Sequence, residues 1–181
     1  MARSIDQISA PSRIAAEGEG IGIDELRLAS RNHAMPMELL REELTPPGLH
    51  YVLTHYDIPA VDAATWSLTV DGEVRNPLSL SLADLEAMTA RTVRVTLECA
   101  GNGRVGVSPR PVSQPWLNGA VGTAEWTGVP LRDLLDEAEL DDRAVDVVFT
   151  GHDHGFERGV EQDYARGLTR ADAVTDDVLV A

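Results

Sequence analysis

The segment V-T-L-E-C-A-G-N-G-R, Val95 to Arg104, contains the chain's single cysteine, Cys99. An alternating run typical of a β-strand precedes the cysteine, and the small residues Ala100, Gly101 and Gly103 follow it. Small residues allow backbone or a ligand to approach a sulfur atom closely. The segment therefore predicts a strand that ends in a tight turn and presents a thiol there, as a soft metal ligand is presented.

The ordinary alternative is that this thiol is part of the core, because free cysteines are among the most buried residue types. Upstream, Val93, Val95 and Leu97 share one face of the predicted strand. Downstream, Asn102 and Arg104 place an amide and a permanent cation within five residues of the sulfur. Polar groups at the end of a buried strand favour a functional site.

The stretch E-C-A-G-N-G-R resembles the C-A-G-N-x-R signature of the sulfite oxidase family, the molybdopterin-dependent oxidoreductases. Other blocks are similar to family segments in the same order, so that the resemblance covers roughly residues 31 to 181. These blocks are Leu44 to Pro59, Trp66 to Val74, Trp116 to Leu131 and Phe149 to Asp153.

The resemblance implies catalytic roles for three residues. Cys99 falls on the thiolate ligand of molybdenum, and Arg104 falls on an arginine that lines the family's anion pocket. A guanidinium suits that place, because it is always charged and donates two parallel hydrogen bonds to an oxyanion. Trp116 falls on the tryptophan of the pocket wall.

The same resemblance implies cofactor-binding roles for His55, Thr54, Asn102 and Asp153. His55 falls near the pterin phosphate and Asp153 on an acid that contacts the pterin. The cofactor implied is Mo-molybdopterin.

The chain departs from the family pattern at Leu53, which stands where the family has a substrate-binding arginine. One cation of the anion pocket is therefore missing, and sulfoxide-like or other oxo-transfer substrates stay open beside sulfite. Arg31, in a second R-N-H triplet at residues 31–33, is a candidate substitute cation.

The family normally continues beyond the segment Ala173 to Ala181 into more of the pocket and a β-sandwich dimerisation domain. We therefore expect a C-terminally incomplete domain that forms a dimer only if the missing part is supplied. An inactive or scaffold-like fragment is the alternative to an active oxidoreductase.

The predicted fold is α+β, a mixed-sheet sulfite-oxidase-type molybdopterin-binding fold, with a mobile lead-in at residues 1–24 and a partial domain at 25–181. The patterns predict short helices at Pro36 to Glu43, from Ser81 through Met88, and at Leu131 to Ala138. Strands are predicted at Trp66 to Val70, which turns at Asp71-Gly72, and at Val145 to Thr150.

The charge is strongly negative, with 30 acidic residues, 15 basic residues and a net charge of -15. Nucleic acids and anionic membranes are therefore unlikely partners. All basic residues are arginine, which together with the acidic excess is typical of proteins from salt-loving microbes or from GC-rich genomes. With no signal-like segment and no apolar run of membrane-spanning length, we expect a cytoplasmic protein.

The Gly-His-Asp-His-Gly segment at residues 151–155, predicted to be a loop after the strand at Val145 to Thr150, supports a rival interpretation, a divalent-metal site. The segment carries nitrogen and oxygen ligands at His152, Asp153 and His154. If it curls as a loop, these side chains could bind a zinc-like ion together with one more histidine, which would be His33, His50 or His55.

The reaction that the resemblance implies is oxygen-atom transfer at a mononuclear molybdenum bound by Cys99. The partners implied are a small-molecule substrate, sulfite or another oxo-transfer substrate, and a separate electron acceptor.

Overall fold

The computed structural model describes residues 13–56, 58–157 and 160–181. The chain divides into two compact units, each built from three segments. The first unit comprises Met1–Asp57, Arg94–Ala124 and His154–Gln162, and the second comprises Ile58–Val93, Glu125–Asp153 and Asp163–Ala181.

The described residues form short helices and three small sheets, which confirms the α+β class. The helices are α1 (Ile23–Ala29), α2 (Leu82–Ala87), α3 (Leu131–Glu137) and α4 (Arg170–Ala173), with 3-10 turns at Met37–Arg41 and Arg104–Gly106. The strands are β1 (Ser67–Val70), β2 (Leu78–Ser81), β3 (Arg91–Glu98), β4 (Val121–Pro130), β5 (Asp146–Glu157), β6 (Val160–Thr169) and β7 (Leu179–Val180). Strand order is β1-β2, β3-β4-β7 and β5-β6.

The hairpin and helix predicted between residues 66 and 88 are confirmed. β1 pairs antiparallel with β2, with Val70 opposite Leu78. Ser81 caps α2 by accepting a hydrogen bond from the Asp84 N–H, and the Asp84 carboxylate accepts one from the Ser81 N–H in return. Helix α2 buries Leu85.

Helix α3 begins directly after Pro130, as the sequence predicts, and buries Leu131, Leu134 and Leu135. It contributes to both apolar clusters of the second unit. One cluster centres on Leu85, Val129 and Leu134, and the other on Leu131, Leu135 and Ala173.

β3 and β4 are antiparallel, as shown by the hydroxyl contacts Thr92–Thr127 at 2.7 Å and Thr96–Thr123 at 2.8 Å. β3 is less buried than the alternating pattern predicts. Val93 and Val95 are half-buried, but Leu97, expected on the same face, is 39% exposed.

One prediction of secondary structure is wrong, and another is confirmed in a different helical form. The segment at residues 151–155, expected to be a loop, continues β5 to Glu157 because β6 pairs beside it. The short helix expected over Pro36 to Glu43 forms as a 3-10 helix, Met37–Arg41, directly after Pro36, and Glu42 already has extended backbone. No helix in the described parts of the chain is long and apolar enough to cross a bilayer.

Candidate functional site

Cys99 directly follows the last residue of β3. Its N–H donates to the Ala120 carbonyl at 2.9 Å, which extends the β3–β4 pairing by one residue. The thiol is half-buried, and its sulfur accepts a hydrogen bond from the Gly101 N–H at 3.4 Å. The thiol is therefore not fully buried, and its role as a metal ligand stays a prediction.

The turn after the cysteine is held by short backbone hydrogen bonds. The Asn102 N–H donates to the Cys99 carbonyl at 2.8 Å, and the Arg104 N–H donates to the Gly101 carbonyl at 3.0 Å. Gly103 has a φ of 75°, in the left-handed region that glycine adopts without strain. These bonds fix the direction in which the turn presents the sulfur.

The Asn102 amide fastens this turn to the two strands. Its Nδ2 donates to Glu98 at 2.9 Å, and its Oδ1 accepts from the Ala120 N–H at 3.0 Å. Both ends of the amide therefore serve the protein. The structure supports a positioning role for Asn102, whereas the cofactor contact predicted from the sequence stays a prediction.

The Arg104 side chain folds back over the same turn. Its Nη1 donates to the Gln114 carbonyl at 3.0 Å, and its guanidinium fills the space that a Cβ on Gly101 would need. A residue larger than glycine at 101 would displace this cation. Gly101 therefore serves two purposes, since its N–H contacts the sulfur and its missing side chain makes room for Arg104.

Trp116 lies deep in the first unit, with only 4% of its surface exposed. Its ring meets Tyr51 edge-to-face at 6.4 Å, and its carbonyl accepts from the Val105 N–H at 3.1 Å. Its indole Nε1 is buried and has no hydrogen-bond partner among the residues that the structure describes. A buried, unsatisfied donor is costly, so it marks a place where a ligand group could accept a hydrogen bond.

Two residues that the sequence analysis missed connect the cysteine turn to the segment around Thr54. Asn32 Nδ2 donates to the side-chain oxygen of Gln114 at 2.9 Å, and Asn32 Oδ1 accepts from the Thr54 N–H at 2.5 Å. Gln114, only 7% exposed, also holds Arg104 through its carbonyl. Among the predicted site residues, Thr54 and Arg104 are thereby joined through Asn32 and Gln114.

A small pocket of the first unit opens beside this connection. Arg31 lies in it next to Leu53, and the Arg31 Nη2 donates to the His55 carbonyl at 3.3 Å. The ring of His55 stands edge-on to Tyr56, with centroids 5.4 Å apart. The polar lining residues are Arg31, His55, Ser113 and Gln114, and the apolar ones are Leu28, Leu53 and Phe156.

Asp153 belongs to the second unit, whereas Cys99 and the other predicted site residues belong to the first. It is a half-buried residue within β5, and its carboxylate lies against Gly151. Its predicted contact with the pterin stays a prediction.

The rival divalent-metal site lacks structural support. Because 152–154 lie in a strand, His152 and His154 point to one side of it and Asp153 to the other. No group of three histidine, cysteine or acidic side chains in the described part of the chain could hold a metal ion.

A buried ion pair stabilises the first unit near its start. Glu25, 2% exposed, pairs with Arg110, which also donates to the Gly20 carbonyl at 3.0 Å. Burial by itself raises the pKa of the Glu25 carboxyl, but hydrogen bonds from Arg110 and the Gly22 N–H outweigh burial and hold this pKa below its ordinary value. The carboxylate therefore stays ionised although it is buried.

A single sequence gives little indication that Asn32 and Gln114 belong to the site. Asn32 stands within the R-N-H triplet, but nothing in the local pattern names Gln114 as its partner 82 positions away. The sequence singled out Arg31 and Leu53 separately, and the structure brings them to one pocket.

Comparison with known proteins defines the class of this domain. The model of the oxidoreductase molybdopterin binding domain matches residues 55–181, so the chain belongs to that family. This confirms the resemblance read from the cysteine segment. Membership implies molybdopterin as the cofactor of the domain.

Particular relatives narrow the class to the sulfite oxidase and nitrate reductase type. Sulfite oxidase of Gallus gallus is 40% identical over 160 residues, which are 83% of this chain and 34% of the relative. Nitrate reductase [NADH] of Volvox carteri is 35% identical over 168 residues, 86% of this chain and 19% of the relative. The chain thus spans about a third of the first relative and about a fifth of the second.

The crystal structure of the sulfane dehydrogenase SoxCD from Paracoccus pantotrophus has the same fold. The match has a TM-score of 0.63 at 19% identity and covers 99% of this chain and 45% of that one. The sulfite-oxidase-type fold expected from the sequence is thereby confirmed.

Proposed function

We propose that this chain is a molybdenum oxidoreductase domain of the sulfite oxidase type, in which the Cys99 thiolate ligates the metal. The observation that carries the proposal is the position of the sulfur. It stands half-buried at the end of β3, in a turn fixed by backbone hydrogen bonds, and it accepts the Gly101 N–H at 3.4 Å. This hydrogen bond and the backbone bonds of the turn fix the place where the sulfur would meet a metal.

The residues around the sulfur suit the cofactor that family membership implies. Trp116 offers a buried indole N–H without a partner in the described part of the chain, and Gly101 leaves room for the Arg104 guanidinium. When bound, Mo-molybdopterin would supply the redox chemistry of oxygen-atom transfer. Cys99 would hold the metal, and His55, Thr54, Asn102 and Asp153 are the proposed pterin-binding residues.

Arg104 and Trp116 have proposed roles toward the substrate. Arg104 keeps N–H donors beyond the one that it gives to Gln114, so its charge can attract and orient an oxyanion. Trp116, fixed by Tyr51 and by the Val105 N–H, would form a rigid wall that limits water. Sulfite or another oxo-transfer substrate fits this arrangement, and a separate acceptor would take the electrons.

Substitution of the cysteine tests the proposal directly. The chain is produced in cells that make Mo-molybdopterin, and molybdenum, pterin and visible absorption are measured on wild type and Cys99→Ser. We expect the wild type to show a thiolate-to-metal charge-transfer band, because sulfur is the ligand. Cys99→Ser should lose that band and the oxo-transfer turnover.

Ala100→Ser is the matched control, since it adds a serine to the same turn and leaves the sulfur in place. It should keep both the band and the turnover. A Cys99→Ser variant with the absorption and turnover of the wild type would overturn the proposal.

A further inference from the structure

The pocket that contains Arg31 has one side with a cation and one apolar side. Arg31 supplies the charge, while Leu28, Leu53 and Phe156 supply apolar surface. We propose that this pocket binds a small oxyanion carrying an apolar substituent, with Arg31 holding the anionic group. The claim that this anion is the substrate rests on the proposed function. Binding of the anion to the pocket is measured independently of that function.

Local pairing brings Arg31 to the pocket. His33 and Val52 form an isolated antiparallel bridge, with the His33 N–H donating at 3.2 Å and the Val52 N–H at 2.9 Å. Antiparallel pairing with this register places Arg31 alongside residues 53–55, and Arg31 indeed reaches the His55 carbonyl. The second R-N-H triplet therefore lies next to the residue that replaces the family's arginine.

Arg31 has donors to spare for a ligand. Its Nη2 bond to the His55 carbonyl is long, at 3.3 Å, and in the described part of the chain its Nε and Nη1 donate to no protein group. No carboxylate among those residues forms an ion pair with it. A guanidinium with free N–H groups can hold an oxyanion through two parallel hydrogen bonds.

Leu53 decides the kind of oxyanion. Two arginines in one pocket suit an inorganic anion that carries only oxygen substituents, such as sulfite or sulfate. A leucine in place of one arginine cannot bind oxygen, but it contacts an apolar group, and Leu28 and Phe156 extend that surface. The pocket therefore suits an organic sulfinate-like or sulfonate-like anion better than an inorganic one.

The pocket is connected to the cysteine turn through Gln114. Gln114 lines the pocket, and its carbonyl accepts the hydrogen bond from Arg104. One buried residue thus lines the pocket of Arg31 and binds Arg104. This arrangement is the reason to treat the pocket as part of the substrate site.

Titration calorimetry with methanesulfonate and inorganic sulfate, at fixed ionic strength, tests the inference on the full chain. We expect methanesulfonate to bind more tightly than sulfate to the wild type. Arg31→Gln should weaken methanesulfonate binding at least about tenfold, because it removes charge-assisted hydrogen bonds. Arg31→Lys should bind with intermediate affinity, since it keeps the charge and loses the planar pair of donors.

Arg27→Gln is the matched control, because Arg27 is an exposed arginine that pairs with Asp24 on α1 and does not line the pocket. Leu53→Arg should reverse the preference toward sulfate, and in the Arg31→Gln background it should restore anion binding. Unchanged affinity in Arg31→Gln, or a preference that Leu53→Arg does not alter, would overturn the inference.

The same titration on Cys99→Ser distinguishes this inference from the proposed function. Binding of methanesulfonate depends on Arg31 and not on the sulfur, so a failed metal assignment leaves the titration result standing. Conversely, if the wild type shows the charge-transfer band but Arg31→Gln leaves the methanesulfonate affinity unchanged, only this inference is overturned and the proposed function stands.

Discussion

In the second unit the buried side chains are apolar and most of them pack in two clusters around α3, whereas the first unit buries a carboxylate and an amide. Of the described residues, the buried polar ones are Glu25 and Gln114, and both belong to the first unit. The apolar residues buried in the first unit are Met35, Tyr56, Trp116 and Ala120.

The difference shows how the two units are stabilised. Apolar burial is non-directional, so leucines give α3 its stability without fixing the position of any polar atom. Hydrogen bonds are directional, and in the first unit they fix the Cys99 turn, Arg104 and Thr54. A binding site needs polar atoms at precise positions. Burying these atoms lowers stability unless each one keeps its hydrogen-bonding partner.

Loss of one partner of the buried ion pair should have the largest effect on stability. Arg110→Met leaves the Glu25 carboxylate buried without its cation, so we expect the free energy of unfolding to fall by about 3–5 kcal/mol. Urea denaturation at neutral pH measures the loss. Glu25→Leu combined with Arg110→Met should recover most of it, because no uncompensated charge then remains buried.

Arg132→Met is the control for that experiment, since Arg132 forms exposed ion pairs in the second unit. It should change stability by less than about 1 kcal/mol. If Arg110→Met and Arg132→Met lowered the free energy of unfolding equally, the buried ion pair would contribute no more to stability than the exposed ones.

An apolar deletion in the second unit should cost nearly as much. Leu134 is fully buried, and Leu134→Ala should lower the free energy of unfolding by about 2–5 kcal/mol through lost packing and a residual cavity. Val145→Ala, at a side chain that is 75% exposed, should cost less than about 0.5 kcal/mol. Guanidinium denaturation of both variants checks the contrast, and similar midpoints would refute it.

Removal of Asn32 tests the polar connection of the first unit. Asn32→Leu leaves the Gln114 side-chain oxygen and the Thr54 N–H without this partner, so we expect a loss of about 1–3 kcal/mol. Methanesulfonate affinity should fall as well, because Gln114 lines the pocket. Asn76→Leu, which removes an exposed bond to the Glu137 carbonyl, should change neither quantity measurably.

Acid should act on the first unit through its paired glutamates. Arg13 and the Ala16 N–H lower the pKa of Glu19 to about 2, and the pKa of Glu25 is also below its ordinary value. Unfolding therefore takes up protons, so this stabilisation is complete above the pKa of an unfolded glutamate and is lost as pH falls through the folded-state pKa values. Denaturation at pH values from 6 to about 2.5 should show the decline.

Glu25→Gln should flatten the acid decline, because the group that takes up the proton is removed. An unchanged slope in that variant would contradict the assignment. The tolerance of high salt expected from the acidic, lysine-free composition stays a prediction, to be measured as stability against molar salt.

Much of the local structure follows from short patterns in the sequence. The Ser81–Asp84 capping box, the start of α3 after Pro130 and the strand before Cys99 all form where the patterns place them. The family could also be identified from the cysteine segment. These features depend on residues within a few positions of one another, and local sequence determines them directly.

Other features could not be predicted because they depend on a distant partner. β5 continues through residues 151–155, although glycines and polar residues there predict a loop, because β6 supplies hydrogen bonds to that backbone.

By itself the sequence determined the position of the thiol, the turn that follows it and the family, because a strand, small residues and one cysteine are adjacent along the chain. Only the tertiary structure decided which polar groups meet: Glu25 with Arg110, Asn32 with Gln114, and Arg31 with the Leu53 segment. The physical reason is that burial leaves a polar group no water to bind, so its partner must come from wherever the fold brings one.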